Sequence, residues 1–169
     1  MFILLNLIFK SWAIEMTLIP EFGTIPQIRQ FCTMKYHNNS NSMIMFGGNN
    51  GQGDNFGDLW KFNLEKMQWQ ELKSSSFEAI PDRFSVSSYM DQANNEFYIF
   101  GGNSKNGIQN DLWKFSLDSF RWKSLITQGD VPPPRYRHAY NEFLDSEGKL
   151  FFVVFGGYTS LSYDNELFL

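Results

Sequence analysis

Phe100-Gly101-Gly102, followed nine residues further on by Asp111-Leu112-Trp113-Lys114-Phe115, is one of three copies of a single pattern in this 169-residue chain. Phe46-Gly47-Gly48 leads to Asp58-Leu59-Trp60-Lys61-Phe62, and Phe155-Gly156-Gly157 leads to Glu166-Leu167-Phe168-Leu169. The triplets begin at 46, 100 and 155, a spacing of 54 and then 55 residues. A period of that length is the signature of stacked supersecondary units, each unable to bury its apolar face alone. Two further blocks keep phase with the glycines. Asn63-Leu64 precedes Trp69 as Ser116-Leu117 precedes Trp122, and Pro81-Asp82-Arg83-Phe84 answers Pro133-Pro134-Arg135-Tyr136, with Pro26-Gln27-Ile28-Arg29 as an earlier version.

Between these blocks the chain reads as short strands. Residues 83–90, 96–100, 112–117 and 121–125 are rich in aromatic and β-branched side chains and are bounded by Asn, Gly and Pro turn residues. No segment keeps a 3.6-residue apolar period over three turns, so no long helix is expected. Four short strands per period predict an all-β chain of four-stranded antiparallel blades, arranged radially so that strand edges stay short.

The order Gly-Gly, acidic-Leu-aromatic, Trp, then Pro-x-x-Arg resembles the kelch repeat of β-propellers, in its long-period form. Arg135-Tyr136-Arg137-His138 is similar to the Arg-aromatic-x-His that opens the innermost strand in that family, although the His138 position is Val86 and Cys32 in the two earlier copies. The resemblance covers nearly the whole chain and implies an incomplete ring of about three blades. The repeat divides residues 1–169, read as one partial propeller, into an outer half-blade at 1–16, blades at 29–72 and 83–126, and an inner half-blade at 135–169. Asn6-Leu7 to Trp12 repeats the spacing of Asn63-Leu64 to Trp69, which is why apolar residues 1–19 read as blade strands; the alternative is a signal peptide, but Lys10 interrupts the run and no basic stretch precedes it. The expected explanation of the blade count is a fragment of a larger propeller; the alternatives are an open arc with exposed edges, or two copies closing a six-bladed ring as a homodimer.

Composition narrows the function. Net charge is −4, with 14 Lys and Arg against 18 Asp and Glu and no basic stripe, so neither nucleic acid nor an anionic membrane is an expected partner. The single cysteine, Cys32, permits no intrachain disulfide and fits a cytoplasmic protein, secretion being the alternative if residues 1–19 were a leader. His37 reads as a solvated turn residue and His138 as a hydrogen-bonded blade residue. Gly51-Gln52-Gly53-Asp54-Asn55-Phe56-Gly57 fails the dinucleotide fingerprint, because Phe56 stands where a glycine is needed and no helix follows. No catalytic residue, metal ligand or cofactor is expected. The resemblance implies one alternative, a piece of a kelch-type metalloenzyme of the copper-oxidase or iron-dependent specifier kind.

The leading reading is therefore a non-catalytic protein-interaction scaffold for a protein or peptide partner. Gly47, Gly48, Gly101, Gly102, Gly156 and Gly157 are expected to make tight turns, and Trp60, Trp69, Trp113 and Trp122 to fill the gaps between blades. Loops following the glycines and preceding the inner strands should share one face, presenting Asn49, Asn50, Asn103, Lys105 and Tyr158 beside Arg29, Arg83, Arg135 and Arg137. For the first three arginines a second reading stays open, in which they bind backbone carbonyls or acidic groups such as Asp58 and Asp111.

Overall fold

The computed structural model describes residues 23–76, 78–147 and 150–169, so the half-blade expected at 1–16 lies outside the described residues. Period-2 burial sets the first sheet. β1 (Thr33–His37), β2 (Ser42–Phe46), β3 (Leu59–Asn63) and β4 (Gln68–Glu71) pair in sequence order, all antiparallel, with Phe46 opposite Leu59 and Phe62 opposite Trp69. A single 3-10 turn, Asn38–Ser40, closes the first hairpin. The second blade repeats this one period later. After the two-residue β5 (Arg83–Phe84) come β6 (Ser87–Asp91), β7 (Glu96–Phe100), a rim hairpin of β8 (Asn103–Ser104) and β9 (Gly107–Ile108), then β10 (Leu112–Ser116) and β11 (Arg121–Leu125). β6, β7, β10 and β11 form the four-stranded sheet, with Phe100 opposite Leu112 and Phe115 opposite Trp122. β12 (Ala139–Leu144), β13 (Leu150–Tyr158) and β14 (Tyr163–Phe168) make a third, three-stranded sheet, again with Phe155 opposite Leu167. Apart from that one turn, the regular structure of the described residues is all β, built as antiparallel blades.

One local difference from expectation lies in the third copy. Gly47-Gly48 and Gly101-Gly102 follow the ends of β2 and β7, but Gly156 and Gly157 sit inside β13, where the register slips between Phe155 and Gly157. The spacing is unchanged, Tyr158 pairing with Tyr163 as Asn103 pairs with Ile108, and the two glycines keep the positive φ of their counterparts, so the same turn is taken up as a bulge within a continuous strand.

The blades meet face to face. Ile44, Phe46 and Leu59 of blade 1 pack on Phe97, Ile99, Phe115 and Trp122 of blade 2 in one apolar cluster, with Val86 and Met90 from β6. Trp122 sets its ring 5.3 Å from that of Phe46, edge on, at 5% exposure. Burying each such aromatic stabilises by roughly 2–3 kcal/mol. The inner strands β1 and β6 lie side by side, and Thr33 and Ser88 share a buried hydrogen bond across that seam.

Candidate functional site

The four conspicuous arginines divide into two groups. Arg29, Arg83 and Arg135 make the same contacts in three successive copies. In each, Nε donates to the carbonyl two residues back, Gln27, Pro81 or Pro133, and Nη1 donates to the carbonyl of a conspicuous glycine, Gly47, Gly101 or Gly156. Each guanidinium then grips a carboxylate: Asp58 at 2.6 and 2.8 Å, Asp111 at 2.5 and 3.0 Å, Asp164 at 2.7 Å. Arg83 and Arg135 are 0% exposed. The sequence reading that placed them on a partner-binding face is corrected by this burial: their donors are consumed internally, which is the structural alternative. Arg29, with a side chain 5% exposed, belongs with them.

The main chain at these arginines also joins the blades. The Gly48 N–H donates to the Arg83 carbonyl at 3.0 Å, and the Arg83 N–H donates to the Phe56 carbonyl at 3.0 Å. Gly102, Arg135 and Gln109 repeat that pair of bonds at the next junction. Burial alone would raise the carboxyl of Asp58, but the Arg29 fork and the Trp60 indole N–H outweigh it and hold it below the usual carboxylate range. Asp111 is governed in the same way by burial, Arg83 and Trp113. In the third copy the aromatic is Phe168, which has no N–H to offer, and the acid that Arg135 finds is Asp164 rather than the aligned Glu166. The Asp164 carboxyl is held low chiefly by the Glu166 backbone N–H.

Arg137 is different. It is exposed, forms no ion pair among the described residues, and lies over two rings, 4.9 Å from the Phe31 centroid and 5.6 Å from that of Tyr136. Its backbone is left-handed, φ 55°, as it is at the equivalent positions Phe31 (57°) and Ser85 (54°). Such φ values cost a non-glycine residue about 1 kcal/mol and mark positions that the surrounding structure overdetermines. The Ser85 N–H donates to the Phe31 carbonyl at 2.9 Å, which ties the strained positions of adjacent blades together at the head of the inner strands. Phe31, Phe84, Tyr136, Tyr158 and Tyr163 then form a chain of ring contacts 5.3 to 6.1 Å apart along this rim.

The mouth framed by these residues has a volume of about 430 Å³ and is lined by Gln30, Phe31, Asn49, Phe84, Asn103 and Arg137 among others. Asn49, Asn103 and Arg137, three residues picked out in the sequence, therefore share one opening. Tyr158 lies one ring away, in contact with Tyr136 at 5.4 Å. Lys105 is exposed at the tip of the β8–β9 hairpin. Asn50 is turned inward on its own loop, accepting from the Gln52 and Asp54 N–H groups and donating to the Asp54 carboxylate. The rim aromatics Phe31, Phe84 and Tyr136 were not picked out in sequence, although the aromatic after Arg83 and Arg135 recurs.

Neither histidine is solvated. His37 is 5% exposed, with Nδ1 2.7 Å from the Ser40 hydroxyl and Nε2 3.1 Å from the Asn95 amide oxygen of the next blade; the neighbouring hairpin covers what reads in isolation as a polar turn. His138 shares a hydrogen bond through Nε2 with Ser87 of blade 2, and its Nδ1 is buried without a partner. Among the described residues no group of three His, Cys, Asp or Glu side chains converges.

Burial, with help from the Arg135 charge, lowers the His138 pKa from 6.5 to about 4. Between those values the unfolded chain holds the extra proton, so stability contributed by the neutral imidazole is present above pH 6.5 and is lost as pH falls toward 4. At pH 5 the loss is about 2 kcal/mol, or roughly 4–8 °C in melting temperature for a chain of this size. The paired carboxylates do not contribute there, since their titration lies below 3.8. His138→Val, which installs the residue of the preceding copy, is expected to remove most of the difference between melts at pH 7 and pH 5. An unchanged difference would show that another group is responsible.

The profile of the KLHDC2/KLHL20/DRC7 Kelch-repeats domain family matches residues 3–169. The chain belongs to this kelch-repeat family. Among its relatives are Dynein regulatory complex subunit 7 of Chlamydomonas reinhardtii, 29% identical over 118 residues (69% of this chain, 10% of the relative), and Acyl-CoA-binding domain-containing protein 4 of Arabidopsis thaliana, 27% identical over 152 residues (89% of this chain, 21% of the relative). Kelch domain-containing protein 10 of Rattus norvegicus is 29% identical over 104 residues, 60% of this chain and 25% of its own length. The chain thus spans a quarter or less of the length of each of these relatives. Among the described residues no helix is long and apolar enough to cross a membrane.

Proposed function

We propose that this kelch domain is a non-catalytic interaction module that receives a segment of a partner protein at the rim mouth, against Arg137. The observation that carries this reading is the Arg137 guanidinium. It is exposed and aligned by two aromatic faces, while every comparable arginine in the repeat is saturated by a carboxylate. A stacked guanidinium offers a planar fork of donors suited to carbonyl oxygens or an acidic side chain. Asn49 and Asn103 add polar groups, and Phe31 and Phe84 add apolar contact, the mixture found at interaction hot spots. The Chlamydomonas relative is named as a subunit of a regulatory complex, which agrees with a role in assembly. The net charge of −4 disfavours nucleic acid as the partner, and the single cysteine suits a cytoplasmic setting.

Arg137→Ala is expected to weaken partner binding about 10–30-fold. Its melting temperature should stay close to that of the wild type, because the side chain is exposed and unpaired. Partner recovery on immobilised variant, compared with immobilised wild type, is the measurement. Equal recovery would rule out this site.

A further inference from the structure

The sequence contains two Asn-Gly pairs, Asn50-Gly51 and Asn106-Gly107. The fold places both on the rim, in the loops that follow the glycine pairs of blades 1 and 2. Such a pair has a chemistry of its own: the glycine main-chain nitrogen attacks the asparagine side-chain carbonyl carbon, with no glycine side chain to obstruct it. The two pairs are held very differently. The Asn50 amide oxygen accepts from the Gln52 and Asp54 N–H groups at 2.8 and 3.1 Å, and its nitrogen donates to the Asp54 carboxylate at 2.8 Å. The Gly51 N–H donates to the Asn49 amide oxygen at 3.0 Å. Ring closure at Asn50 would have to break these bonds. Asn106 is exposed at the tip of the β8–β9 hairpin, and its side chain makes no hydrogen bond among the described residues. Nothing lies within 4 Å of a carbon added at Gly107, so the tip stands in open space.

We propose that Asn106-Gly107 is a self-modifying site, a deamidation switch that loosens one wall of the rim mouth. The Gly107 nitrogen loses its proton to solvent base and bonds to Cγ of Asn106. The Cγ–Nδ2 bond breaks, the nitrogen leaves as ammonia with a proton from water, and a five-membered succinimide remains. Water then opens the ring. Attack at Cγ leaves an aspartate; attack at the main-chain carbonyl leaves an isoaspartate, whose main chain is longer by one methylene. No oxidation or reduction is involved. Either product carries a negative charge where Asn106 is neutral. The isoaspartate is the more disruptive, because one hydroxyl holds this hairpin together. Ser104 Oγ accepts from the Asn106 N–H at 3.1 Å and from the Gln109 amide at 3.2 Å, and donates to the Gly107 carbonyl at 3.1 Å. Asn103 and Ser104 line the mouth and pair with Ile108 and Gly107. An extra methylene between Ser104 and Gly107 spoils that pairing and the bond to the Asn106 N–H, so Asn103 loses its fixed place in the mouth that Arg137 shares.

The consequence for binding rests on the partner site proposed above, whereas the chemistry and the loosening are read without any partner. The full chain is kept in warm, mildly alkaline buffer and cut at its glutamates, and isoaspartate is located by electron-transfer fragmentation in a mass spectrometer. It is expected at position 106 in clear excess over position 50, and it should be lost in Asn106→Gln, whose longer side chain closes the ring far more slowly. Amide deuterium exchange at residues 103–108 of the aged wild type should quicken about tenfold or more, the signature of a local opening made easier. Asn106→Gln aged alongside should keep its original rates. No isoaspartate at position 106, equal amounts at 50 and 106, or unchanged exchange in the modified protein would overturn the proposal. Partner recovery separates the two readings. Fresh Arg137→Ala tests the partner site alone. Aged wild type that keeps full recovery where fresh Arg137→Ala loses it would overturn the link between hairpin and mouth.

Discussion

Gly47→Ala is expected to cost about 3 kcal/mol or more and to lower the melting temperature by roughly 10 °C, if the chain folds at all. The Arg83 carbonyl of blade 2 is drawn against blade 1 by the Gly48 N–H at 3.0 Å. A methyl group at position 47 would stand 2.5 Å from that oxygen, a backbone atom that cannot move without breaking the junction. The φ of +67° adds a penalty that glycine avoids. Gly53→Ala is the control. It also has a positive φ, but nothing lies within 4 Å of its added carbon, so only the conformational cost applies, about 1 kcal/mol. Thermal melts of the two variants side by side should differ clearly. Equal shifts would show that the close approach of the two blades is not what the first glycine serves.

Asp111→Ala is expected to cost about 3 kcal/mol, because it leaves a buried guanidinium uncompensated. Arg83 is 0% exposed and gives Asp111 two hydrogen bonds, while Trp113 gives a third at 2.7 Å. The Asp111 side chain is 30% exposed, so water can reach part of the vacated site, which keeps the expected loss at the lower end for a broken buried pair. Glu71→Ala offers the contrast. Its carboxylate faces an 80% exposed Lys73 at 3.7 Å, a pairing expected to be worth less than about 0.5 kcal/mol. Denaturant midpoints measured on both variants decide the matter. A small loss for Asp111→Ala would mean that the three arginine forks merely decorate the repeat.

The fold was legible because its signal is local and repeated. A Gly-Gly pair that must turn and a Leu-Trp strand that must pair with the one before it can be read from neighbouring residues, and the phase of three copies removes chance. The fate of the arginines was not legible to the same degree. Arg83 meets Asp111 across 28 residues of sequence, and only the closed blade shows that this contact and the Pro81 and Gly101 carbonyls hold the guanidinium inside. The third copy shows the same limit: alignment points to Glu166, but the acid that meets Arg135 is Asp164, at the position of Gln109 in the preceding copy. His37 reads as a turn residue until the Asn95 hairpin of the next blade covers it. At the rim, the residue types of Asn49, Asn103 and Arg137 suggested contact, and the recurring aromatic after Arg83 and Arg135 was visible. What sequence did not show was the left-handed backbone at Phe31 and Arg137 that sets a guanidinium over a ring.

Site-specific photocrosslinking tests most directly the claim that partners are met at the rim mouth. One photoreactive side chain placed at Asn103, in the mouth, and one at Lys66, in the turn between β3 and β4 at the opposite end of the blades, report on the two faces. Crosslinks to a partner protein are expected from position 103, lost when Arg137→Ala is added, with none from position 66. Crosslinks from position 66, or crosslinks from position 103 that persist without Arg137, would contradict it.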